Sequence, residues 1–147
     1  MQEMVVDAKI DNLPQVTDFI TAVATKLGAG ARTLMQIELV VEEIFVNIAS
    51  YAYKDKEGQV VINIDAHENP TKLELTFTDE GIPYNPLDKP DPDVELPIEE
   101  RGVGGLGIFL VKKNVDEISY EHKDGKNCLR IGKIMTATGG DVNGRRT

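Results

Sequence analysis

The longest regular pattern of apolar positions lies in residues 31–53, ARTLMQIELVVEEIFVNIASYAY. Ile37, Val41, Ile44 and Ile48 recur at intervals of three or four residues, so a helix places all of them on one face. This segment therefore predicts a helix whose apolar face contributes to the core.

Two further segments have helical features. Residues 12–30 carry Pro14 near the start and Gly28 near the end, as a helix of moderate length does. A shorter apolar run predicts a helix from about Gly105 to Asn114.

Several other segments alternate apolar and polar residues, as strands with one buried face do. Two of them are separated by ENPT, which predicts a hairpin, and Gly125 lies in the turn of a second pair. The predicted strands are EMVVDAKI, VVINIDAH, KLELTFTD, DEISYEH and NCLRIGKIM.

Residues 80–101 hold five prolines and show little periodicity, which predicts a long loop. Loops of this length inside compact domains are usually lids or binding elements. The order of elements predicts an α/β fold, more closely a two-layer α+β sandwich with a mixed sheet covered on one face by helices. One domain is expected over residues 1–136, followed by a flexible tail at 137–147.

Composition excludes several classes of function. With 147 residues, 41% of them hydrophobic, the chain has the size of one globular domain. A net charge of −9 argues against direct binding of nucleic acid. Cys128 is the single cysteine and cannot form an internal disulfide, and no apolar run approaches the roughly 18 residues of a membrane span. We therefore expect a cytoplasmic protein without a membrane segment.

A glycine-rich stretch, RGVGGLGIFLVKKN at residues 101–114, precedes the last predicted helix. It is not a Walker A loop, because Ile108 follows Gly107 where that loop has lysine. It matches the GxGxxG of dinucleotide-binding folds, but it follows a loop rather than a strand. A protein kinase of the eukaryotic type is excluded by size and by the absence of HRD and DFG elements. Phosphate binding at a helix N-terminus and close packing of a flexible loop end both remain open.

A second motif, EIFVN, lies on the strongest helix. Glu43 and Asn47 are four residues apart and share a helix face at the edge of the apolar stripe, whereas Glu42 points outward. An amide oxygen can ligate Mg²⁺, and a carboxylate one turn earlier can deprotonate an attacking hydroxyl. Solvated polar residues at the edge of a helix stripe would give the same pattern.

A third motif, DEGIPYNP, follows the predicted strand that ends at Asp79. A carboxylate there could accept a hydrogen bond from the exocyclic amino group of a base, and Gly81 would let the chain turn close to that base. An ordinary Asp-x-Gly turn at the end of a strand is the alternative.

Together and in this order, the three motifs resemble the ATP-binding domain shared by gyrase-type topoisomerases, heat-shock chaperones, histidine kinases and mismatch-repair ATPases. The resemblance is closest to the small bacterial anti-sigma factor serine/threonine kinases and covers roughly Val5 to Met135. EEIFVNIASYAY is similar to that family's N-box, DEGIPYNP to its first glycine box and RGVGGLGIFLVKKNVDEISY to its second.

The resemblance implies a role for each motif. Asn47 becomes the Mg²⁺ ligand, Glu43 the general base and Asp79 the residue that reads adenine, with Gly81 beside it. Residues 82–104 become the ATP lid.

The second glycine box is implied to bind the phosphates of ATP, with Arg101 placed to neutralise the γ-phosphate. The residues concerned are Gly102, Gly104, Gly105, Leu106 and Gly107. Tyr51 departs from the family pattern, since histidine often follows the asparagine by four residues.

The function that the resemblance implies is that of an anti-sigma factor. Such a protein binds Mg-ATP, phosphorylates an anti-sigma factor antagonist on serine or threonine, and sequesters a sigma factor, usually as a homodimer. Two alternatives remain at this point, an ATP-gated protein-binding module without phosphotransfer and a detached histidine-kinase-like ATPase domain.

Overall fold

The computed structural model describes residues 1–54, 56–88 and 106–136. Each predicted helix and strand is present in these ranges. The strands are β1 (Gln2–Asp7), β2 (Gln59–His67), β3 (Lys72–Asp79), β4 (Glu117–Lys123) and β5 (Lys126–Ile134), and the helices are α1 (Leu13–Lys26), α2 (Ala31–Tyr51) and α3 (Leu106–Asn114).

Local sequence explains several element ends. Pro14 lies in the first turn of α1, where a missing N–H removes no helical hydrogen bond. Gly28 follows α1 with a φ of 94°, and Gly125 turns β4 into β5 with a φ of 77°. Both values lie in the left-handed region that glycine adopts without steric cost.

The strands form one sheet in the order β1-β2-β3-β5-β4, which confirms the two-layer α/β architecture. Adjacent strands of this sheet all run antiparallel, whereas we expected a mixed sheet. The reason is the position of β5. Strands β3 and β4 run in the same direction, but β5 lies between them and is antiparallel to both.

The core lies between one face of the sheet and the helices. The predicted stripe of α2, from Ile37 through Val41 and Ile44 to Ile48, is buried. Alternate residues of β2 and β3 pack against it, among them Ile62 and Phe77, which are fully buried. The apolar periodicity of the helix and of the strands therefore points to the same interface.

The opposite face of the sheet has no helix over it in the part of the chain that the structure describes. Thr76 and Thr78 lie on this face and are half-buried, as is Asn63 on the neighbouring strand. The predicted one-sided cover is confirmed, and it accounts for the alternation of apolar and polar residues in β2 and β3.

The register of the sheet determines which residues meet at its end. Asp79 closes β3 and pairs with Asn127 near the start of β5. Helix α3 packs beside α2. The C-terminal half of α2 and the start of α3 line one cavity together with Asp79 and Asn127. Residues from α2, α3 and the ends of two strands therefore converge there.

None of the helices within residues 1–54, 56–88 and 106–136 is long and apolar enough to cross a membrane. The predicted tail at residues 137–147 and most of the predicted lid at 82–104 lie outside the described residues.

The two faces of β3 give a direct test of this architecture. We expect Phe77→Ala to lower the free energy of unfolding by about 3–5 kcal/mol, because it leaves a cavity between sheet and helices. Thr76→Ala, one residue away on the opposite face, should cost less than about 1 kcal/mol. Chemical denaturation of both variants measures the difference, and equal losses would contradict the assignment of the faces.

Candidate functional site

A cavity of about 530 Å³ opens at the end of the sheet where β3 terminates. This volume is within the range of sites that hold small organic ligands. Residues from all three sequence motifs line the cavity, together with residues that the sequence did not single out. The lining includes Glu43, Asn47, Tyr51, Ala52, Phe77, Asp79, Ile82, Tyr84, Gly107, Ile108, Val111, Tyr120 and Asn127.

Helix α2 contributes the polar wall. Glu43 and Asn47 are one turn apart, and both line the cavity, as their spacing predicts. Glu42 is exposed outside it. Within the described residues, neither Glu43 nor Asn47 has a hydrogen bond or an ion pair through its side chain. Both groups are therefore available to a ligand. Tyr51 lies at the rim with 66% of its surface exposed.

Asp79 forms the polar floor and is only 6% exposed. Its Oδ1 accepts hydrogen bonds from the Gly81 N–H and from the Asn127 side-chain amide, both at 2.9 Å. No residue in the described ranges donates a hydrogen bond to Oδ2, and this oxygen is not fully buried. One carboxylate oxygen is thus held by the protein, while the other remains open to a donor in the cavity.

Gly81 allows a close approach between this loop and the end of α2. A Cβ at Gly81 would lie 2.2 Å from the Ala52 carbonyl oxygen and 2.6 Å from its carbonyl carbon. The Ile82 N–H donates to the same oxygen at 2.9 Å. The backbone of Ala52 therefore already requires a glycine at this position, and the approach of a base to Gly81 stays a prediction.

Tyr53 ties the start of this loop to the sheet. Its hydroxyl accepts a hydrogen bond from the Glu80 N–H at 2.8 Å and donates to the Gln59 carbonyl at 2.6 Å. Burial raises the pKa of the Tyr53 phenol above its ordinary value. The phenol therefore stays protonated and able to donate at neutral pH.

Asn127 joins Asp79 to the loop, a role that the sequence analysis missed. Its side-chain nitrogen donates to Asp79 and to the Ile82 carbonyl at 3.0 Å, and its oxygen accepts from the Tyr84 N–H at 3.2 Å. The Tyr120 hydroxyl donates to the same oxygen. Burial raises the pKa of the Tyr120 phenol, which keeps this donor protonated.

The sequence did hold a signal for these two residues. Tyr120 and Asn127 flank Gly125 in the last predicted hairpin, but only the pairing of β5 with β3 brings them to Asp79. Asn127 occupies an inward position of a strand whose next inward positions are apolar. A buried amide at such a position indicates polar partners nearby.

Helix α3 completes the cavity on the side facing α2. It begins at Leu106, and Gly107 in its first turn lines the cavity. A Cβ at Gly107 would lie 2.8 Å from Oε2 of Glu43, so the two motifs meet here.

The remaining predicted site residues are not placed. Arg101, Gly102, Gly104 and Gly105 lie outside the described residues, and for Leu106 only the backbone is described.

Solved structures with the same fold include proteins from two bacteria. The RsbU and RsbW domains of Rv1364c from Mycobacterium tuberculosis align with a TM-score of 0.62 at 14% identity, over 92% of this chain and 33% of that chain. The histidine kinase domain of the Erythrobacter litoralis EL346 blue-light activated histidine kinase aligns with a TM-score of 0.53 at 17% identity, over 86% and 60%. This chain thus spans about a third of the first structure and less than two thirds of the second. At these identities the likeness is one of fold.

Curated relatives are more similar in sequence. Serine-protein kinase RsbW of Bacillus cereus (strain AH820) is 28% identical over 137 residues, which cover 90% of this chain and 84% of that protein. Serine-protein kinase RsbW of Bacillus mycoides (strain KBAB4) is 27% identical over the same length. The family model for the histidine kinase-like ATPase domain matches residues 6–133. Because this match covers well over half of the chain, the chain belongs to the histidine kinase-like ATPase domain family.

Proposed function

We propose that the protein binds Mg-ATP and transfers its γ-phosphate to a serine or threonine of an anti-sigma factor antagonist, and so controls the availability of a sigma factor. The observation that carries this proposal is the convergence of Glu43, Asn47, Asp79 and Gly107 on one cavity of about 530 Å³. The relatives named serine-protein kinase support the choice of reaction.

The floor of the cavity suits the adenine base. Oδ2 of Asp79 would accept a hydrogen bond from the exocyclic amino group, while Oδ1 stays bound to Gly81 and Asn127. Ile82 and Tyr84, partly exposed beside it, offer apolar surface to the faces of the base. Recognition of adenine in this proposal depends on Oδ2 of Asp79. Its position is fixed because Oδ1 of the same carboxylate is hydrogen-bonded to Gly81 and Asn127.

The donor set also fits Mg²⁺ carried in by the nucleotide. Within residues 1–54, 56–88 and 106–136, no group of three or more His, Cys, Asp or Glu side chains could hold a metal ion alone. Mg²⁺ commonly takes one or two protein ligands and completes its shell with phosphate oxygens and water. The Asn47 amide oxygen would be the protein ligand. The bound ion would neutralise charge on the phosphate oxygens.

Glu43 would act as the general base. Its carboxylate would accept the proton of the substrate hydroxyl as the hydroxyl oxygen bonds to the γ-phosphorus and the bond to ADP breaks. In this class of reaction, positioning and charge stabilisation supply most of the rate enhancement. The lid at residues 82–104, Arg101 and the glycines Gly102, Gly104 and Gly105 are proposed to enclose the phosphates.

Several wider properties belong to the same proposal. Residues 1–136 would act as one ATP-binding domain, in line with the family match to residues 6–133. The partners would be a sigma factor, its antagonist and a second copy of the chain in a homodimer. The net charge of −9 favours protein partners over nucleic acid. The location would be the cytoplasm, where ATP is available.

Asp79 gives the first test. Mg-ATP at about one hundred times its dissociation constant should stabilise the native protein by roughly 2.7 kcal/mol, a shift of several degrees in melting temperature. Asp79→Asn should abolish the shift, because it can place a donor where the base presents its own amino group. Glu80→Gln, which alters an exposed neighbouring carboxylate, is the control and should keep the shift. A full shift in Asp79→Asn would contradict the proposed base site.

Asn127 gives the second test. We expect Asn127→Leu to lower the free energy of unfolding by about 1–3 kcal/mol, because Asp79 Oδ1 and the loop lose their shared partner. Binding of Mg-ATP, measured by calorimetry, should weaken as well. Asn63→Leu is the matched control, since Asn63 Oδ1 is buried without a partner in the described chain and its loss leaves no group unpaired. Unchanged affinity in Asn127→Leu would remove Asn127 from the site.

Glu43 gives the third test. Glu43→Gln keeps the size of the side chain but cannot accept the proton, so phosphate transfer to a candidate antagonist should fall about 10²- to 10⁴-fold. Glu42→Gln should transfer phosphate at the wild-type rate, because Glu42 is exposed outside the cavity.

Transfer that survives in Glu43→Gln would overturn the assignment of the base. Binding of Mg-ATP without transfer by any variant, wild type included, would instead favour the ATP-gated binding module.

A further inference from the structure

The carboxylate of Glu43 lies directly against the backbone of Gly107. A Cβ placed on Gly107 would be 2.8 Å from Glu43 Oε2, 3.5 Å from its Cδ and 4.0 Å from its Cβ. The first distance is shorter than real Cβ contacts, so even a methyl group at position 107 would force the carboxylate to move. Apart from the chain neighbours of Gly107 and the backbone of α3 itself, these three Glu43 atoms are the nearest described atoms to that position.

Backbone conformation does not explain the glycine. Gly28 and Gly125 have φ values of 94° and 77°, and a Cβ on either would meet nothing within 4 Å. Gly107 is the opposite case, since it lies inside α3 and is not among the residues with positive φ. Glycine is also one of the least favourable residues within a helix. Space for a neighbouring group is a physical reason for glycine at position 107, and among the described residues that group is Glu43.

The contact lies at a point where small displacements matter. Glu43 and Gly107 both line the cavity, and Gly107 is in the first turn of α3, whose N–H groups have no partners within the helix. A misplacement of about 1 Å in a reacting group can reduce a rate about 100-fold.

We propose that Gly107 is a positioning residue, which sets the location of the Glu43 carboxylate by leaving room for it at the start of α3. The inference rests on the role proposed above for Glu43 as the base. It differs from the interpretation drawn from the sequence, in which the glycines make room for phosphates. The two interpretations predict different kinetic effects, because one concerns the rate of the chemical step and the other concerns binding of the nucleotide.

Kinetics of Gly107→Ala separate the two interpretations, with Mg-ATP as substrate and water as the acceptor. We expect kcat for phosphate release to fall about 100-fold, while the Kd for Mg-ATP changes less than threefold. An unchanged kcat would overturn the proposal. So would a Kd raised more than tenfold with kcat preserved at saturation, since that result assigns the space at Gly107 to the phosphates.

Gly132→Ala is the matched control. A Cβ at Gly132 would lie 2.7 Å from Glu117 Oε1, so the substitution crowds a carboxylate oxygen in the same way. Neither Gly132 nor Glu117 lines the cavity. The same Glu117 oxygen pairs with Lys72 at 2.9 Å and its side chain is largely exposed, so the substitution disturbs only an ion pair outside the cavity and should keep the wild-type kcat and Kd.

A double-mutant cycle tests the contact without using activity. In wild type, Gly107→Ala brings a methyl group onto the carboxylate and should lower the melting temperature or leave it unchanged. In the Glu43→Ala background the space is free and alanine is the better helix former, so the same substitution should raise the melting temperature. Equal changes in both backgrounds would overturn the proposal. If the changes in melting temperature differ between the backgrounds but the protein neither hydrolyses ATP nor transfers its phosphate, the contact between Gly107 and Glu43 is supported. Only the proposed function is then refuted.

Discussion

The packing of α2 against the sheet is the constraint on which the rest of the structure depends. The sheet has one apolar face, and α2 covers its centre with a stripe that includes Ile37, Val41 and Ile44. Burial of this stripe fixes the rotation of the helix about its axis. That rotation in turn directs Glu43 and Asn47, at the edge of the stripe, into the cavity and leaves Glu42 in solvent. The same hydrophobic contact therefore stabilises the fold and orients the polar wall of the site.

The nearly buried carboxylate of Asp79 is a second constraint, since it needs hydrogen-bond donors from the protein. The pairing of β3 with β5 supplies Asn127, and the turn after β3 supplies the N–H of Gly81. Asn127 also binds the backbone of Ile82 and Tyr84. The group that satisfies the carboxylate is thus the group that holds the following loop, so the floor of the cavity and its rim are structurally coupled.

The glycines around the cavity and in the turns serve different physical purposes. Gly28 and Gly125 adopt positive φ in open surroundings, which is a matter of backbone conformation. Gly81 and Gly107 occupy crowded positions, one against the carbonyl of Ala52 and the other against the carboxylate of Glu43. Glu43 lies in α2, and Ala52 directly follows the last residue of that helix. Among the described residues, the close neighbours of these two glycines are thus groups of this helix and of the residue that follows it.

The sequence by itself determined the helices, the strands and the one-sided cover of the sheet. These features follow from the spacing of apolar residues, which recurs every three or four residues in a helix and every second residue in a strand with one buried face. It also indicated Glu43, Asn47 and Asp79, since helix spacing and the end of a strand are local features. Only the tertiary structure decided that β5 lies between β3 and β4, that Asn127 and Tyr120 reach Asp79, and that Gly107 meets Glu43. These contacts join residues far apart in the chain, and strand order and helix packing, which create them, leave no periodic trace in the sequence.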